Sequence, residues 1–465
     1  MKRLMLAVFT AAALLYFGGV YAAPHTPSKP DASPAVVTPA ATASAPAAKP
    51  FDADEATHEW LNTLSPEARA KSDAYFEGGY WLLLWDFLAG ILVAWLMLGT
   101  GLSRRMRDFN ERLIGVRFLQ TALYVAEYIL FTTLVVLPWT LYEDYFREHQ
   151  YGMSNQDMGA FLIDQLKGLA LILIFGTLII TIIYVVVRKT PRTWWLWGAG
   201  IGIAFTIFGV FIGPTYLEPV FNKFYSLQDG PEKQAILSLA RANGIPATDV
   251  YEFDASKQTK RMSAHVSGLG ATTQISLNDN LVNRASSEEV QAVLGHEMGH
   301  YVLNHVFHGM VEISVLVVLG FAFLRWSFEA MRRRYGARWG IRDVSDVAGL
   351  PLMAALLSVY FFVLTPVQNT LTRTQEAEAD IFGLNAARMP DGFAQAAIHL
   401  SEYRKMEPGK WEEILFYDHP SGYHRIHRAM VWKAEHLKDG DIAAYDAIHP
   451  VIEMPPAPAD AAPAK

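Results

Sequence analysis

The sequence predicts a mostly α-helical, polytopic membrane protein that carries a small α+β core outside the hydrocarbon. Two observations support this fold class. Of the 465 residues, 52% are hydrophobic and only 18% charged, so the chain is more apolar than ordinary soluble domains. It also contains six apolar runs, each long enough to cross about 30 Å of hydrocarbon, and soluble core helices hardly explain so many. These runs lie at about 81–102, 119–141, 161–187, 194–214, 307–326 and 347–369.

Composition also excludes several kinds of site. The net charge is -7 and there is no long basic tract, so we expect no nucleic acid among the partners. The apolar composition and the membrane-length runs make a lipid bilayer an expected partner. With 0 Cys, the chain has no disulfide framework, no cysteine zinc site and no thiol nucleophile. Any bound metal must therefore be held by histidines and carboxylates.

The two ends differ from the rest of the chain. Residues 1–22 join Met-Lys-Arg to an apolar stretch, which fits a signal peptide cleaved after Ala22 or a first membrane helix. Residues 23–64 are expected to be a low-complexity linker, because the segment up to Pro50 is mostly Ala, Pro, Ser and Thr. Residues 436–465 form a C-terminal extension with an Ala/Pro-rich tail. Between the ends we expect an N-terminal membrane-helix domain at 65–214 and a second domain at 215–435, which includes the last two apolar runs.

Ionisable residues interrupt several of the apolar runs. Charges in lipid are costly, so these side chains are expected to face an enclosed interior or a water-filled cavity. For Asp164 and Lys167, snorkelling near helix ends is the simpler interpretation. The full set is Asp86, Glu127, Asp164, Lys167 and Glu312.

Loop charge predicts the orientation of the helices. Arginines and lysines cluster in the loops after the first, third and fifth runs, and the positive-inside rule makes these loops cytoplasmic. The polar block 215–306 and everything after about 370 then lie on the outer face, which agrees with an N-terminal export signal.

The block 215–306 has the pattern of a small α+β core. Pro231 to Asn243 reads as an amphipathic helix. Residues 250–254 and 273–277 read as short strands, with a turn at 268–270 between them. A further helix begins at Ser287, where Ser286 or Ser287 can serve as the cap.

That helix carries the sequence His296-Glu297-Met298-Gly299-His300. Two histidines four residues apart share one helix face, so their ring nitrogens can converge on one Zn²⁺ with Glu297 beside it as a base. A catalytic zinc also needs a third protein ligand and an open position. The alternative is a surface helix with two solvated histidines.

A second helical segment offers two carboxylates on one face, at Glu376 and Asp380. Glu376 could supply the third zinc ligand. Asp380 could accept a hydrogen bond from the second nitrogen of a ligating histidine and fix its tautomer. The alternative is a polar helix with solvated carboxylates.

Together these motifs resemble the integral-membrane zinc metallopeptidases of the CAAX prenyl protease type I family, which includes bacterial heat-shock membrane proteases. The resemblance covers about residues 65–435. Its further motifs are Glu218-Pro-Val-Phe-Asn-Lys-Phe with Asp229-Gly230, Ser263-Ala-His-Val-Ser-Gly-Leu-Gly270, Arg373 ahead of Glu376, and His419-Pro420 with Arg425. It implies a gluzincin-like catalytic core, in which a helix follows the strands.

The resemblance also implies roles for seven residues. One Zn²⁺ per chain would be held by His296, His300 and Glu376, with Glu297 as general base and Asp380 hydrogen-bonded behind a ligand. His419 and Arg425 would line the cleft and orient substrate or stabilise the oxyanion. The alternatives are a turn role for His419 and an ion pair of Arg425 with Glu413. His305 is expected to be packed rather than a ligand, because the zinc already has three.

Two departures from the family pattern loosen the inference about substrate: Ser263 where many relatives have Asn, and His424 where an acidic residue often precedes the arginine. We expect a zinc metalloendopeptidase of the bacterial inner membrane that faces the periplasm and cleaves misfolded or membrane-associated proteins. The first alternative is a CAAX-like prenyl-peptide endopeptidase, which the outward orientation disfavours. The second is a non-proteolytic membrane protein with a structural metal. The sequence does not predict the oligomeric state.

Overall fold

The protein is described by a computed structural model, which covers residues 51–268, 272–437, Ile442 and Tyr445. The predicted signal segment 1–22, the linker up to Pro50 and most of the C-terminal extension lie outside the described residues. The domain boundaries stay a prediction.

Six helices of the described part are long and apolar enough to cross a membrane, which confirms the predicted fold class. Three of them contain a π-helical turn, at Leu141–Arg147, Ile172–Gly176 and Gly213–Leu217. The six are α2 (Pro66–Gly99), α4 (Arg117–Gln150), α5 (Met158–Lys189), α6 (Trp194–Phe221), α10 (His305–Trp339) and α11 (Leu350–Ala387). The shorter helices are α1 (Ala53–Asn62), α3 (Leu102–Leu113), α7 (Pro231–Ala242), α8 (Asp279–Arg284), α9 (Ser287–Val302), α12 (Pro390–Leu400), α13 (Lys410–Phe416) and α14 (Gly422–His436).

The three basic loops meet at one end of the helix bundle. Arg107 of α3 pairs with Asp346, which lies just before α11. The guanidinium of Arg342, in the loop after α10, contacts Glu111 of α3 at 2.6 Å. Arg188 at the end of α5 donates to Thr121 of α4. The loops that the positive-inside rule groups together therefore share one face of the bundle.

The linker prediction does not hold for residues 53–62, which form helix α1 instead. Asp52 caps this helix by accepting hydrogen bonds from the backbone of Asp54 and Glu55. Trp60 and Leu61 are buried in a cluster formed mainly with α12 and α14. A segment with two large apolar side chains and a cap can gain enough from burial to fold, unlike the Ala/Pro-rich stretch before it.

Most ionisable residues of the apolar runs have an enclosed polar partner. Asp86 accepts from the indole of Trp139 at 2.8 Å, and Glu312 accepts from Gln375 at 3.0 Å. Asp164 was expected to snorkel near a helix end, but it also contacts a residue outside the membrane helices. Besides its ion pair with Lys167, it accepts from Gln258 at 2.9 Å, which ties a membrane helix to the polar core.

The polar core contains a four-stranded sheet in the order β1-β2-β4-β3. Its strands are β1 (Phe224–Ser226), β2 (Val250–Phe253), β3 (Ala264–Ser267) and β4 (Gln274–Asn278). Strands β2 and β4 are parallel, and the other two pairs are antiparallel. The structure confirms β2 and β4 close to the predicted positions and places β3 in the motif that begins at Ser263. It adds β1, whose three residues are too few to show a periodicity. Strand β3 lies at an edge and contacts α9.

Helix α9 packs against this sheet through its apolar face. Val290, Leu294 and Met298 are buried with Ile275 and Leu277 of β4. Ser286 is the cap, and it forms a capping box with Glu289. These contacts fix the helix that carries the two histidines and Glu297.

Candidate active site

The structure brings three of the predicted site residues together. His296 and His300 are buried one turn apart on α9, and their Nε2 atoms lie 3.1 Å from each other. Glu376 of α11, which is only 1% exposed, places Oε2 3.1 Å from the Nε2 atom of His296 and Oε1 3.6 Å from that of His300. Among the described residues this is the only group of three or more that could hold a metal ion.

Small residues allow α9 and α11 to approach this closely. A Cβ atom at Gly299 would lie 3.1 Å from the Cα atom of Ala379, and one at Gly383 would lie 2.7 Å from the backbone nitrogen of His296. Larger side chains at these positions would separate the helices. The spacing of Gly295 and Gly299 on one helix and Ala379 and Gly383 on the other thus decides how near Glu376 comes to the histidines.

The three side chains fit a tetrahedral cation. Zinc with bonds of about 2.0–2.1 Å places its donor atoms roughly 3.3 Å apart, and the separations here are 3.1, 3.1 and 3.6 Å. Both carboxylate oxygens of Glu376 are buried, and neither accepts a well-aligned hydrogen bond from the described residues. A buried carboxylate without donors is costly. A divalent cation would remove that cost.

Asp380 holds the outer nitrogen of His296. The Nδ1 atom of His296 lies 2.8 Å from the Asp380 carboxylate, and Arg425 and Arg428 each contact the same carboxylate at 2.6 Å. A proton on Nδ1 leaves the Nε2 lone pair free to bind a cation. Arg428 was not among the predicted site residues, although it lies three residues after Arg425 and so shares its helix face.

His305 contacts the outer nitrogen of His300, as Asp380 contacts that of His296. Its Nδ1 atom lies 3.0 Å from the Nδ1 atom of His300, and its Nε2 atom lies 3.1 Å from the carboxylate of Glu378. His305 is packed, as expected, with 1% of its surface exposed. The contact with His300 and the part of Glu378 were not predicted from the sequence, although His305 lies only five residues after His300.

A cavity of about 230 Å³ opens beside the three side chains. Glu297 lines it, and within the described residues its carboxylate makes no hydrogen bond. Burial raises the pKa of Glu297 to about 7, with Glu376 adding to the effect and His296 opposing it. A carboxylate that is free of partners and faces a cavity can accept a proton from water.

His419 and Arg425 also line this cavity. The Nε2 atom of His419 lies 3.3 Å from Oε1 of Glu376, and its Nδ1 atom lies 2.8 Å from Asp418. The ring therefore points at the metal candidates and is more than a turn residue. Arg425 is not a partner of Glu413, which instead accepts from the backbone of Ser421. The guanidinium of Arg425 is directed to Asp380.

Strand β3 and helix α12 form the remaining walls. Ser263, Ala264 and His265 border the cavity on one side, and Phe393 and Ala397 border it on the other. Burial lowers the pKa of His265 to about 4, so this imidazole is neutral at pH 7. The cavity exposes more apolar than polar surface.

Comparison with known proteins agrees with this geometry. The family model "Peptidase family M48" matches residues 226–433, and the model "CAAX prenyl protease N-terminal, five membrane helices" matches residues 53–223. The uncharacterized metalloprotease YhfN of Bacillus subtilis is 30% identical over 351 residues, which cover 74% of this chain and 82% of that protein. A CAAX prenyl protease 1 homolog of Dictyostelium discoideum is 30% identical over 68% of this chain and 72% of its own length.

The fold agrees as well. The crystal structure of S. mikatae Ste24p superposes with a TM-score of 0.67 at 22% identity, over 81% of this chain and 95% of that one. The predicted family resemblance is confirmed. The chain belongs to peptidase family M48, with the membrane-helical N-terminal part typical of CAAX prenyl proteases, and is a membrane-embedded metalloprotease.

Proposed function

We propose that this metalloprotease is a zinc endopeptidase that holds one Zn²⁺ per chain on His296, His300 and Glu376. The observation that carries the proposal is the buried triangle of donor atoms, in which both Glu376 oxygens lack a well-aligned donor among the described residues. Two histidines, one carboxylate and an open side toward a cavity form the donor set of a catalytic rather than a structural zinc site.

The protein groups around the site suggest how hydrolysis proceeds. Bound zinc would polarise the scissile carbonyl and make the attacking water more acidic. Glu297 takes the proton from that water and passes it to the leaving amine, so no covalent intermediate is needed. Its position in the cavity and its lack of a hydrogen-bond partner among the described residues suit this role.

Two further groups support the reaction. His419, in its imidazolium form, would donate from Nε2 to the developing oxyanion, since Asp418 already engages its other nitrogen. Arg425 acts through Asp380 and His296 rather than on the substrate. This differs from the expectation that it contacts substrate, because its guanidinium is directed to the buried Asp380 carboxylate.

The substrate is a peptide or protein in extended conformation. The free side of edge strand β3 can pair with an extended backbone, and the apolar cavity beside it can take a side chain next to the scissile bond. Such a site recognises the substrate backbone and one apolar side chain. Because misfolded and membrane-associated proteins expose both, this recognition suits their cleavage.

We further propose that the protein lies in the bacterial inner membrane with this site facing the periplasm. The three basic loops share one end of the bundle, and the metal candidates lie toward the other end of α11. A periplasmic reporter fused after Ala464 should be active. A reporter that is active only in the cytoplasm would contradict this orientation.

The second candidate is hydrolysis of prenylated CAAX-like peptides. It is favoured by the names of relatives, which include CAAX prenyl protease 1 of Saccharomyces cerevisiae at 35% identity over 40% of this chain. The proposed orientation opposes it for cytosolic substrates. Equal cleavage of matched peptides with and without the prenyl group would favour the first candidate, and strict dependence on the prenyl group would favour the second.

One experiment tests the zinc mechanism. The full chain is purified in detergent, its metal content is measured, and cleavage of a fluorogenic peptide is compared between wild type and Glu297→Gln. We expect about one zinc per chain in both and hydrolysis in wild type only. Hydrolysis at the wild-type rate by Glu297→Gln would refute the proposed base. Zinc in both proteins without cleavage in either would favour a structural metal.

A further inference from the structure

We propose a second binding site, for the phosphate group of a membrane phospholipid, at the end of the molecule remote from the metal candidates. It is a cavity of about 210 Å³ between α3, the first turn of α4, the end of α5 and the segment before α11. Roughly 40 Å of chain, mostly helix, separates its residue Val347 from Glu376. The two sites therefore lie toward opposite faces of a bilayer.

Two arginines of this cavity are already neutralised. Arg107 is buried and forms an ion pair with Asp346. Arg342 contacts both oxygens of Glu111, at 2.6 and 2.8 Å. These pairs close the cavity on the α3 side and leave their guanidinium groups little capacity for a ligand.

The other two arginines, Arg117 and Arg188, have no ion-pair partner among the residues that the structure describes. Within the described residues no carboxylate lies within 4 Å of either guanidinium, and Asp343, the remaining carboxylate of the lining, accepts from Ser345. Thr121 holds Arg188 toward Arg117: its hydroxyl accepts from Arg188 at 3.1 Å and donates to the Arg117 carbonyl at 2.9 Å. Two unneutralised guanidinium groups on one wall favour an anion, and phosphate matches their geometry.

A buried amide oxygen in the same cavity favours a hydrogen-bond donor on the ligand. Asn110 lines the cavity and is 1% exposed. Its Nδ2 atom donates to Glu127 at 2.9 Å, which fixes the orientation of the amide, and its Oδ1 atom has no donor among the described residues. The ligand should thus combine a phosphate with a hydrogen-bond donor. Phospholipid headgroups with ethanolamine or glycerol have both groups.

Helix α3 indicates that the ligand is lipid rather than free phosphate. Its residues Ser103, Arg107 and Asn110 are buried, whereas the exposed face combines Phe109, at 54%, and Leu113, at 62%, with charged side chains that include Arg105 and Arg112. Exposed apolar side chains next to exposed arginines are typical of a helix at the membrane interface, where the arginines reach the headgroups. The cavity then opens at the depth of lipid headgroups, with apolar side chains beside it for the acyl chains.

The test uses the full chain, delipidated in detergent, and native mass spectrometry. Wild type, R117Q/R188Q and the control R105Q/R338Q are titrated with phosphatidylglycerol, with diacylglycerol of the same acyl chains, and with sodium phosphate. Arg105 and Arg338 are exposed arginines of the same basic loops outside the cavity, so the control removes the same charge. R117Q alone, at an exposed position, replaces the double variant if that variant does not fold.

We expect phosphatidylglycerol to bind wild type and the control equally, and to bind R117Q/R188Q about 10- to 30-fold more weakly. Diacylglycerol should not distinguish wild type from R117Q/R188Q. Equal binding by R117Q/R188Q, or an equal loss in R105Q/R338Q, would overturn the site. Phosphate that binds through Arg117 and Arg188 and is not displaced by the lipid would overturn the lipid assignment.

Discussion

The Nδ1 atom of His305 lies 3.0 Å from the Nδ1 atom of His300, and the far nitrogen of His305 contacts Glu378 at 3.1 Å. On the other side, Asp380 contacts Nδ1 of His296 at 2.8 Å. Each histidine of the motif therefore has its outer nitrogen engaged. This arrangement directs both Nε2 lone pairs toward Glu376 and prepares the site for a cation.

We expect His305→Ala to weaken zinc binding by about 10- to 100-fold, because His300 loses the group that fixes its tautomer and ring orientation. Competition with a chelator measures the zinc affinity. The control is His308→Ala, an exposed histidine one turn away on the same helix. Unchanged affinity in His305→Ala would show that packing alone positions His300.

We expect Asp380→Asn to destabilise the protein by about 3–5 kcal/mol, because Arg425 and Arg428 would lose their shared carboxylate in a buried setting. Arg428→Gln should cost less, since Arg428 is more exposed than Arg425 and its loss leaves Asp380 paired. Chemical denaturation in detergent, together with zinc content, measures both. Equal stability of Asp380→Asn and wild type would refute this account.

Gly383→Ala should destabilise the pair of helices α9 and α11 by about 1–3 kcal/mol and reduce zinc affinity, because the added Cβ atom would lie 2.7 Å from the backbone of His296. Gly309→Ala is the matched control, since a Cβ atom there meets no described atom within 4 Å. Denaturation midpoints and zinc retention should both fall for Gly383→Ala only.

The buried His265 should make the protein less stable in acid. Burial lowers its pKa to about 4, whereas an unfolded histidine titrates near 6.5. Above 6.5 both states are neutral, and as the pH falls from 6.5 toward 4 only the unfolded state takes up the proton, so the free energy of unfolding decreases. Between pH 7.5 and 5 wild type should lose about 2 kcal/mol more than His265→Gln. Parallel losses in the two proteins would contradict a neutral His265.

Local sequence patterns were sufficient for part of this description. Some predictions concern properties of short segments: the apolar runs, the cap at Ser286, and the four-residue spacing of His296 and His300. Helix geometry converts the length of a run into a membrane span and the four-residue spacing into a shared helix face. Residue types alone limited any metal to histidines and carboxylates. These predictions needed no knowledge of which distant segments meet.

Contacts between distant segments were decided only by the tertiary structure. The linker prediction failed at α1 because Trp60 and Leu61 find their partners in α12 and α14, far along the chain. Arg425 and Arg428 reach Asp380 only because α14 crosses α11 at that point.

The sequence by itself therefore determined the membrane architecture, the family and the candidate metal residues. The tertiary structure decided how close Glu376 comes to the histidines, which groups hold their outer nitrogens, and that Arg117 and Arg188 share a cavity. The physical reason is that these distances depend on helix packing, which the small residues Gly299 and Gly383 permit but which no local periodicity encodes.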